Sequence, residues 1–336
     1  MRLFATGLLF LLLNIGGAAR ASERAAPDQV MPIGVCVHLW AATRENVDKT
    51  LEAASAAHIA LIRWDMPWKA VEKSPKGYQI PPIWDYVINE SAKRGIKSLV
   101  ILDYGNALYD DGDKPTSDRA IEAYAGYAEF VADHFKGRVP YYEIWNEYEL
   151  DGGNTHPGRP TNYVRMARAT YKRIKAADPS TTVLVGAVTG GTYYNSGIFG
   201  SYLSQMLKAG VAEYGDGFSI HPYVYRLSDN GGDAGAKLLT DMVNLIRSSV
   251  GMAGKKIVVS EIGWPTVPTG QFALSEQLQR DYLINEIQAA KRLNVDALFM
   301  YELIDGAGND SEVERHFGLL RSDWSEKPIY TFLKTH

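Results

Sequence analysis

The sequence predicts an α/β fold, a single (β/α)8 TIM barrel with lengthened βα loops. Three observations carry that prediction. From about residue 30 to residue 336, eight short runs of β-branched and aromatic residues alternate with amphipathic stretches of helical period. No low-complexity linker breaks the alternation, and no motif recurs at solenoid spacing. A barrel of this kind uses about 250 residues, so the surplus must go into loops. It falls mostly after strands, in residues 104–117, 148–161, 189–198, 225–233 and 304–327. A doubly wound open sheet is the rival architecture, but no Gly-rich phosphate turn follows the first strand.

The elements follow in order. Residues 33–40 alternate Ile33, Val35, Val37 and Leu39 with Gly34, Cys36, His38 and Trp40, and a helix is expected at 44–57. On this strand Cys36 reads as a buried core thiol. The second unit is Ala-Leu-Ile-Arg-Trp at 60–64 with a helix at 84–94, and the third is Ser-Leu-Val-Ile-Leu-Asp at 98–103 with a helix at 118–135. Tyr-Tyr-Glu-Ile-Trp at 141–145 precedes a helix at 163–177, and the β-branched run at 182–188 precedes one at 200–209. Residues 217–221 and 256–261 are the sixth and seventh strands, with helices at 234–250 and 275–293. Residues 297–303 close the barrel before a last helix at 328–334.

Residues 1–21 read as a secretory signal peptide. Arg2 precedes the apolar run from Leu3 to Leu13, and Ala19-Arg20-Ala21 fits a small-x-small cleavage site. The run is too short for a membrane span of about 20 residues. Cleavage after Ala21 leaves 22–30 as an N-terminal extension and 31–336 as the barrel domain. The expected location is secreted or periplasmic in a bacterium, with no membrane association after cleavage. One cysteine in an exported chain suits a compartment where disulfides are permitted but not required.

Composition excludes several classes. With 46% hydrophobic and 22% charged residues among 336, the chain is neither disordered nor a multi-span membrane protein. A net charge of −4 without blocks of like charge argues against a nucleic-acid partner. One cysteine and seven histidines without ligand spacing offer no metal site, and no cofactor is expected. Nucleophile-elbow, HExxH, Walker and GxGxxG motifs are absent from the sequence. Seven tryptophans and twenty tyrosines suit sugar-binding surfaces, although they also fill cores.

Two glutamates at strand C-termini are the informative feature. Strand four reads Tyr141-Tyr142-Glu143-Ile144-Trp145-Asn146-Glu147, and strand seven ends Ser260-Glu261-Ile262-Gly263-Trp264-Pro265. Barrel enzymes place their sites at this end of the strands, so Glu147 and Glu261 should face each other across the bowl. Two carboxyls in one aromatic-lined cleft are what glycoside hydrolysis needs, one protonated to donate and one ionised to attack. A separation of about 5–5.5 Å would make the reaction retaining. Asn-Glu alone carries no weight, because it also occurs at Asn89-Glu90 and Asn285-Glu286 in expected helices.

On these residues the chain resembles the clan A retaining glycoside hydrolases, and most of all family 39 with its bacterial exopolysaccharide-degrading members. The likeness runs through Arg63-Trp64-Asp65 with Trp68, Leu102-Asp103-Tyr104, Trp145-Asn146-Glu147, Ser219-Ile220-His221-Pro222-Tyr223, Ser260-Glu261-Ile262-Gly263-Trp264, Phe317-Gly318-Leu319-Leu320 and Lys327-Pro328-Ile329-Tyr330. It implies that residues 31–336 form a glycoside hydrolase catalytic domain, with Glu147 as general acid/base and Glu261 as nucleophile. A neighbouring carboxylate and a partly apolar wall would keep Glu147 protonated for the first step.

The resemblance also implies that Arg63 steadies the nucleophile, and the alternative is a salt bridge to Asp65 or Asp103. Asn146 matches the clan asparagine that bonds the sugar 2-hydroxyl. His221 and Tyr223 match the pair beside the nucleophile, and the alternative for a lone histidine is a satisfied core group. Trp264 and Tyr301 are candidate stacking platforms or packing, and His38 is a further substrate-binding candidate. Trp68 stacks on a distal sugar or caps the barrel.

The expected partner is a polysaccharide or oligosaccharide, and the expected state a monomer. Family 39 enzymes that release xylose or uronate units usually carry an appended β-sandwich, whereas this sequence stops after its eighth helix. An open cleft and internal (endo) cleavage of a β-linked polysaccharide are therefore expected. The alternatives are an exo-acting β-glycosidase of the same mechanism, a catalytically silent glycan-binding barrel, and a lipid- or protein-binding barrel unrelated to sugars.

Overall fold

Alternating apolar runs of the length of a barrel stave do close into a barrel. In a computed structural model of the chain, β1 (Ile33–Cys36), β2 (Leu61–Asp65), β3 (Lys97–Leu102), β4 (Tyr141–Ile144), β5 (Thr182–Thr189), β6 (Gly217–His221), β7 (Lys256–Ile262) and β8 (Ala297–Met300) pair in sequence order. Every pairing is parallel, including β8 back to β1 through Gly34 and Phe299. The structure describes residues 30–150, 157–190, 201–227, 230–306 and 311–336. The expected signal peptide at 1–21 and nearly all of the 22–30 extension lie outside the described residues. No helix among the described residues is long and apolar enough to cross a membrane.

Helices α1 (Arg44–Ala56), α2 (Pro82–Lys93), α3 (Asp118–His134), α4 (Pro160–Ala177), α5 (Tyr202–Lys208), α6 (Gly232–Ser248), α7 (Glu276–Arg292) and α8 (Pro328–Thr335) pack outside the staves. Their starts are written locally. Thr43, Ser117, Ser201 and Ser275 cap α1, α3, α5 and α7 by accepting an N–H three residues on. Proline opens α2, α4 and α8, where its missing N–H costs nothing.

Two expectations differ in detail. β1 ends at Cys36 and β8 at Met300, several residues earlier than expected. Cross-strand bonds from Val37 N–H to Arg63 O and from Leu303 N–H to Cys36 O persist, but the chains then leave the ladder to build the cleft wall. One helical turn, Trp68–Val71, and a hairpin of Glu72–Ser74 with Gly77–Tyr78 follow β2. Neither has enough length to show a period in the sequence.

Strand parity sorts the core. Val35, Ile62, Val100, Ile144, Val183, Phe218, Val259 and Leu298 are fully buried between barrel and helices. Each such side chain contributes about 1.5–3 kcal/mol relative to exposure. The opposite parity, with Cys36, Leu61, Leu99, Ile101, Leu184, Val258, Ala297 and Phe299, forms a separate cluster inside the barrel. Cys36 is indeed a buried thiol. Glycine is required at position 34, because a Cβ there would lie 2.3 Å from the Phe299 ring. Farther toward the strand C-termini, the buried residues turn polar at Arg63, Glu143, His221, Ser260 and Glu261.

A buried acid also stands on the helical layer, away from these residues. Glu286 on α7 has both carboxylate oxygens buried without partners among the described residues, against Gly235 of α6. Burial pushes its carboxyl from about 4.5 up to about 8. The unfolded chain therefore ionises first, and stability is full below about 4.5 and falls as pH rises toward about 8. Glu286→Gln should flatten that decline, raising Tm over wild type more at pH 8 than at pH 5. Parallel Tm–pH curves for the two proteins would contradict this assignment.

Candidate active site

Two bulges aim the site. In β7, Val259 and Ile262 face β8 residues Leu298 and Met300, so β7 carries one extra residue across Ser260-Glu261. Strict alternation would turn Glu261 outward beside an inward Ser260, and the extra residue lets both face the interior. In β5, Gly186 and Val188 face Ser219 and Ile220, which makes Ala187 the extra residue. The Ala187 carbonyl accepts the Glu147 N–H at 3.1 Å. Trp145 (φ 65°) and Glu147 (φ 46°) both adopt left-handed backbone, a strained choice that costs about 1–3 kcal/mol per residue. The Trp145 ring is buried against Tyr104, Tyr124 and Tyr148, which anchors the turn.

The two glutamates meet. One oxygen of Glu147, one of Glu261 and a ring nitrogen of His221 all lie within 4.8 Å of one another. Glu261 Oε1 accepts from Arg63 Nη1 at 2.5 Å, and its Oε2 accepts from the Tyr223 hydroxyl at 2.9 Å. Arg63, itself buried, donates Nε and Nη2 to Glu143 Oε2 at 2.8 and 2.6 Å. Its Nη2 also reaches Asn146 Oδ1 at 2.8 Å, and Asn146 Nδ2 donates to the Tyr104 hydroxyl at 3.0 Å. Fully buried His221 links Glu147 Oε1 at 2.8 Å to Ser260 Oγ at 2.9 Å.

The electrostatics of the two sides differ. Burial alone would raise Glu261, but the charges of His221 and Arg63, with the hydrogen bonds from Tyr223 and Arg63, outweigh it and hold the carboxyl below its usual range. Burial likewise opposes charge on His221, yet Glu261 and Glu147 raise it above the ordinary imidazole value. His38 shows the same contest: burial lowers it, while the hydrogen bond and charge of Glu302, 2.7 Å away, lift it to about 9. The Glu147, His221 and Glu261 atoms are close enough to ligate a metal ion. The Arg63 cation on one Glu261 oxygen and the Tyr223 hydroxyl on the other suit hydrogen bonding better than a dication.

Arg63, Asn146, Glu147, Tyr223, Glu261, Tyr301 and His38 all line one cleft of about 470 Å³. His221 lies beneath it and touches the glutamates. Arg63 pairs with Glu143 and Glu261, in place of the salt bridge to Asp65 or Asp103 that was its alternative.

Two expectations are corrected. Trp264 does not reach the cleft: its ring is buried against Tyr282 and beside Gly235, and its N–H donates to Asn230 O at 2.7 Å. It follows Ile262 on the outward parity of β7. Trp68 is also fully buried, stacked on Tyr109 at 5.1 Å with its N–H on Glu72 at 2.6 Å, so it packs as a cap and does not line the cleft.

Several residues of the site carry no clear signal in the sequence motifs. Glu143 was legible, because it shares the parity of Tyr141 and faces Arg63 across the barrel. Tyr104, Tyr225, Arg226, Glu314 and Phe317 come from loops that carry no period. Phe317 packs against Tyr223, Tyr225 and Tyr301, making one aromatic wall.

The sequence model of the cellulase family (glycosyl hydrolase family 5) matches residues 24–297. No curated protein matches the sequence. A family 39 glycoside hydrolase from the gut symbiont Bacteroides cellulosilyticus is similar in structure, with a TM-score of 0.76 and 24% identity, over 91% of this chain and 63% of that one. An exo-β-1,4-mannosidase from an Opitutaceae bacterium gives 0.70 and 15% over 91% and 58%. A hyperthermostable endo-1,4-β-D-mannanase from Thermotoga petrophila gives 0.66 and 18% over 91% and 98%. The chain thus spans less than two thirds of the first two proteins. At these identities the likeness concerns the fold. The matching family model is that of family 5, where the sequence motifs pointed to family 39.

Proposed function

Because the chain belongs to the cellulase family, glycosyl hydrolase family 5, and is thereby a glycosidase of clan A, we propose that it cuts a β-linked polysaccharide internally, with retention, by double displacement. The observation that carries this reading is that one oxygen of Glu147 and one of Glu261 lie within 4.8 Å of each other. An inverting enzyme needs about 6.5–9.5 Å to admit a water between its carboxyls.

Ionised Glu261 attacks the anomeric carbon while protonated Glu147 gives its proton to the departing glycosidic oxygen. The glycosyl–Glu261 ester then yields to a water whose proton passes to Glu147. Arg63 and Tyr223 hold Glu261 ionised and aimed. Asn146, clamped between Arg63 and Tyr104, offers its amide to the sugar 2-hydroxyl. The His38 imidazolium, backed by Glu302, and the Tyr301 ring bound the sugar on the β1–β8 side.

Internal cleavage is supported by aromatic residues on both flanks of the pair, with Tyr104 after β3 and Tyr225 with Phe317 on the other side. Sugars bound on either flank would supply binding energy remote from the scissile bond. A nearer kinship to family 39, action as a monomer and export through residues 1–21 belong to the same proposal. The exported chain would begin at Ser22.

An exo-acting alternative draws support from the similar exo-mannosidase. Digestion of β-1,4-mannan and of bacterial exopolysaccharides separates the two. We expect mixed oligosaccharides early and a fast fall in viscosity. Steady release of one mono- or disaccharide from the outset would overturn endo-action.

A further inference from the structure

The outer flank of the barrel carries a cationic groove that the cleft chemistry does not use. It lies between α3 and α4 with a volume of about 400 Å³, lined by Arg165, Arg168, Lys172 and Arg173 of α4 and by Asp118 and Glu122 of α3. Two of the cations are already paired. Arg165 Nη2 meets Asp118 at 2.6 Å, and Arg173 meets Glu122 at 2.6 Å and Glu129 at 2.9 Å. Arg168 and Lys172, both exposed, have no acidic partner among the described residues, and Arg168 lies over the Tyr214 ring at 6.0 Å. They stand four residues apart on one helix face, where like charges repel. An anion in the groove would relieve that repulsion. Ile121 and Ala169 line the groove between the charges and offer the apolar contact that one face of a sugar ring can use.

A chain segment joins this groove to the cleft. Leu150, in the cleft wall on the loop that also holds Glu147, accepts Lys114 Nζ on its carbonyl at 2.7 Å. Two residues on, the Thr116 carbonyl accepts Arg165 Nη1 at 3.0 Å. Glu147 gives its proton to the departing oxygen, so the departing part of a polymer lies on this side of the carboxyl pair. We propose that the α3–α4 groove is a second binding site for the substrate chain, which receives sugar carboxylates of an acidic, uronate-bearing polysaccharide on the departing side of the cleft. The planar guanidinium of Arg168 suits bidentate pairing with a carboxylate, and Lys172 adds a flexible point charge. The inference rests on the reading of Glu147 as catalytic acid, and it narrows the polysaccharide to an anionic one.

The test uses the Glu261→Gln protein, which should hold sugar without turning it over, with and without Arg168→Gln and Lys172→Gln together. Both positions are exposed and outside the α3–α4 ion pairs, so the fold should be unaffected. The probes are a β-1,4-linked oligomannuronate and the neutral β-1,4-manno-oligosaccharide of equal length, titrated by calorimetry. Losing two exposed charge contacts should weaken the oligomannuronate about tenfold at low salt and leave the neutral sugar unchanged. High salt should erase the difference, because the contacts are open to solvent. In the otherwise wild-type enzyme, the two substitutions should raise KM for an acidic polymer and leave kcat, and activity on a short aryl glycoside, as they were. Equal or undetectable affinity for the oligomannuronate in the two proteins would overturn the proposal. So would a loss of binding to phosphatidylglycerol vesicles with no effect on the oligomannuronate, which would make the groove a lipid-facing surface. A wild type that hydrolyses no glycoside, while the Arg168 and Lys172 substitutions still weaken the oligomannuronate, would sink the glycosidase reading and leave the anion groove standing.

Discussion

Glu261→Gln should abolish turnover, by on the order of 10⁴-fold or more, while leaving glycan affinity largely intact. The amide is nearly isosteric, and its oxygen can still accept from Arg63 Nη1. What it loses is the nucleophile: an amide cannot form the glycosyl ester, however well the sugar is held. The loss should therefore appear in kcat, with titration calorimetry showing a similar dissociation constant for oligosaccharide. A silent glycan-binding barrel predicts no difference in either quantity, because neither protein would turn over. Full activity in the variant would remove Glu261 from the mechanism.

Glu147→Ala should separate substrates by leaving group. General acid catalysis is worth about 10²–10⁴-fold, and that factor should vanish from the hydrolysis of polysaccharide. Aryl glycosides with good leaving groups need less of it, so they should still form the glycosyl-enzyme quickly and then stall for want of a base. Azide, small and needing no deprotonation, should enter the vacated space and release a β-glycosyl azide. An equal loss on every substrate, with no azide adduct, would mean that Glu147 supports the fold and performs no proton transfer. The Glu147 contacts to Ala187 through its backbone survive the substitution, so a folded variant is expected.

The barrel was legible because each stave carries its own period. Ile33–Cys36, Leu61–Asp65 and Lys256–Ile262 alternate or run β-branched between amphipathic helices, and the structure keeps all eight. The arrival of Glu261 in the cleft was foreseen from its place at a strand end, but its true cause was not. A bulge across Ser260-Glu261 is invisible to alternation, which would have sent one of the two outward. The same bulge explains the error at Trp264: with Ile262 turned outward, Trp264 follows it into the layer beneath α6 and α7. An aromatic at a strand end is read from sequence as exposed only by assumption. For Trp68 the sequence leaves stacking on sugar and capping open, because Tyr109 and Glu72, which bury it, come from segments too short to show a period. Glu143 hid beside a more conspicuous glutamate. Its role as the counter-charge for Arg63 emerges only once β2 and β4 are placed two staves apart with Leu99 and Ile101 between them.

The central claim is that Glu147 and Glu261 are close enough for one to attack where no water fits between them. The most direct measurement is proton NMR of the first-formed product from a β-linked oligosaccharide, read before mutarotation. The β-anomer appearing first is the result this account predicts. The α-anomer appearing first would mean single displacement by water and would contradict it.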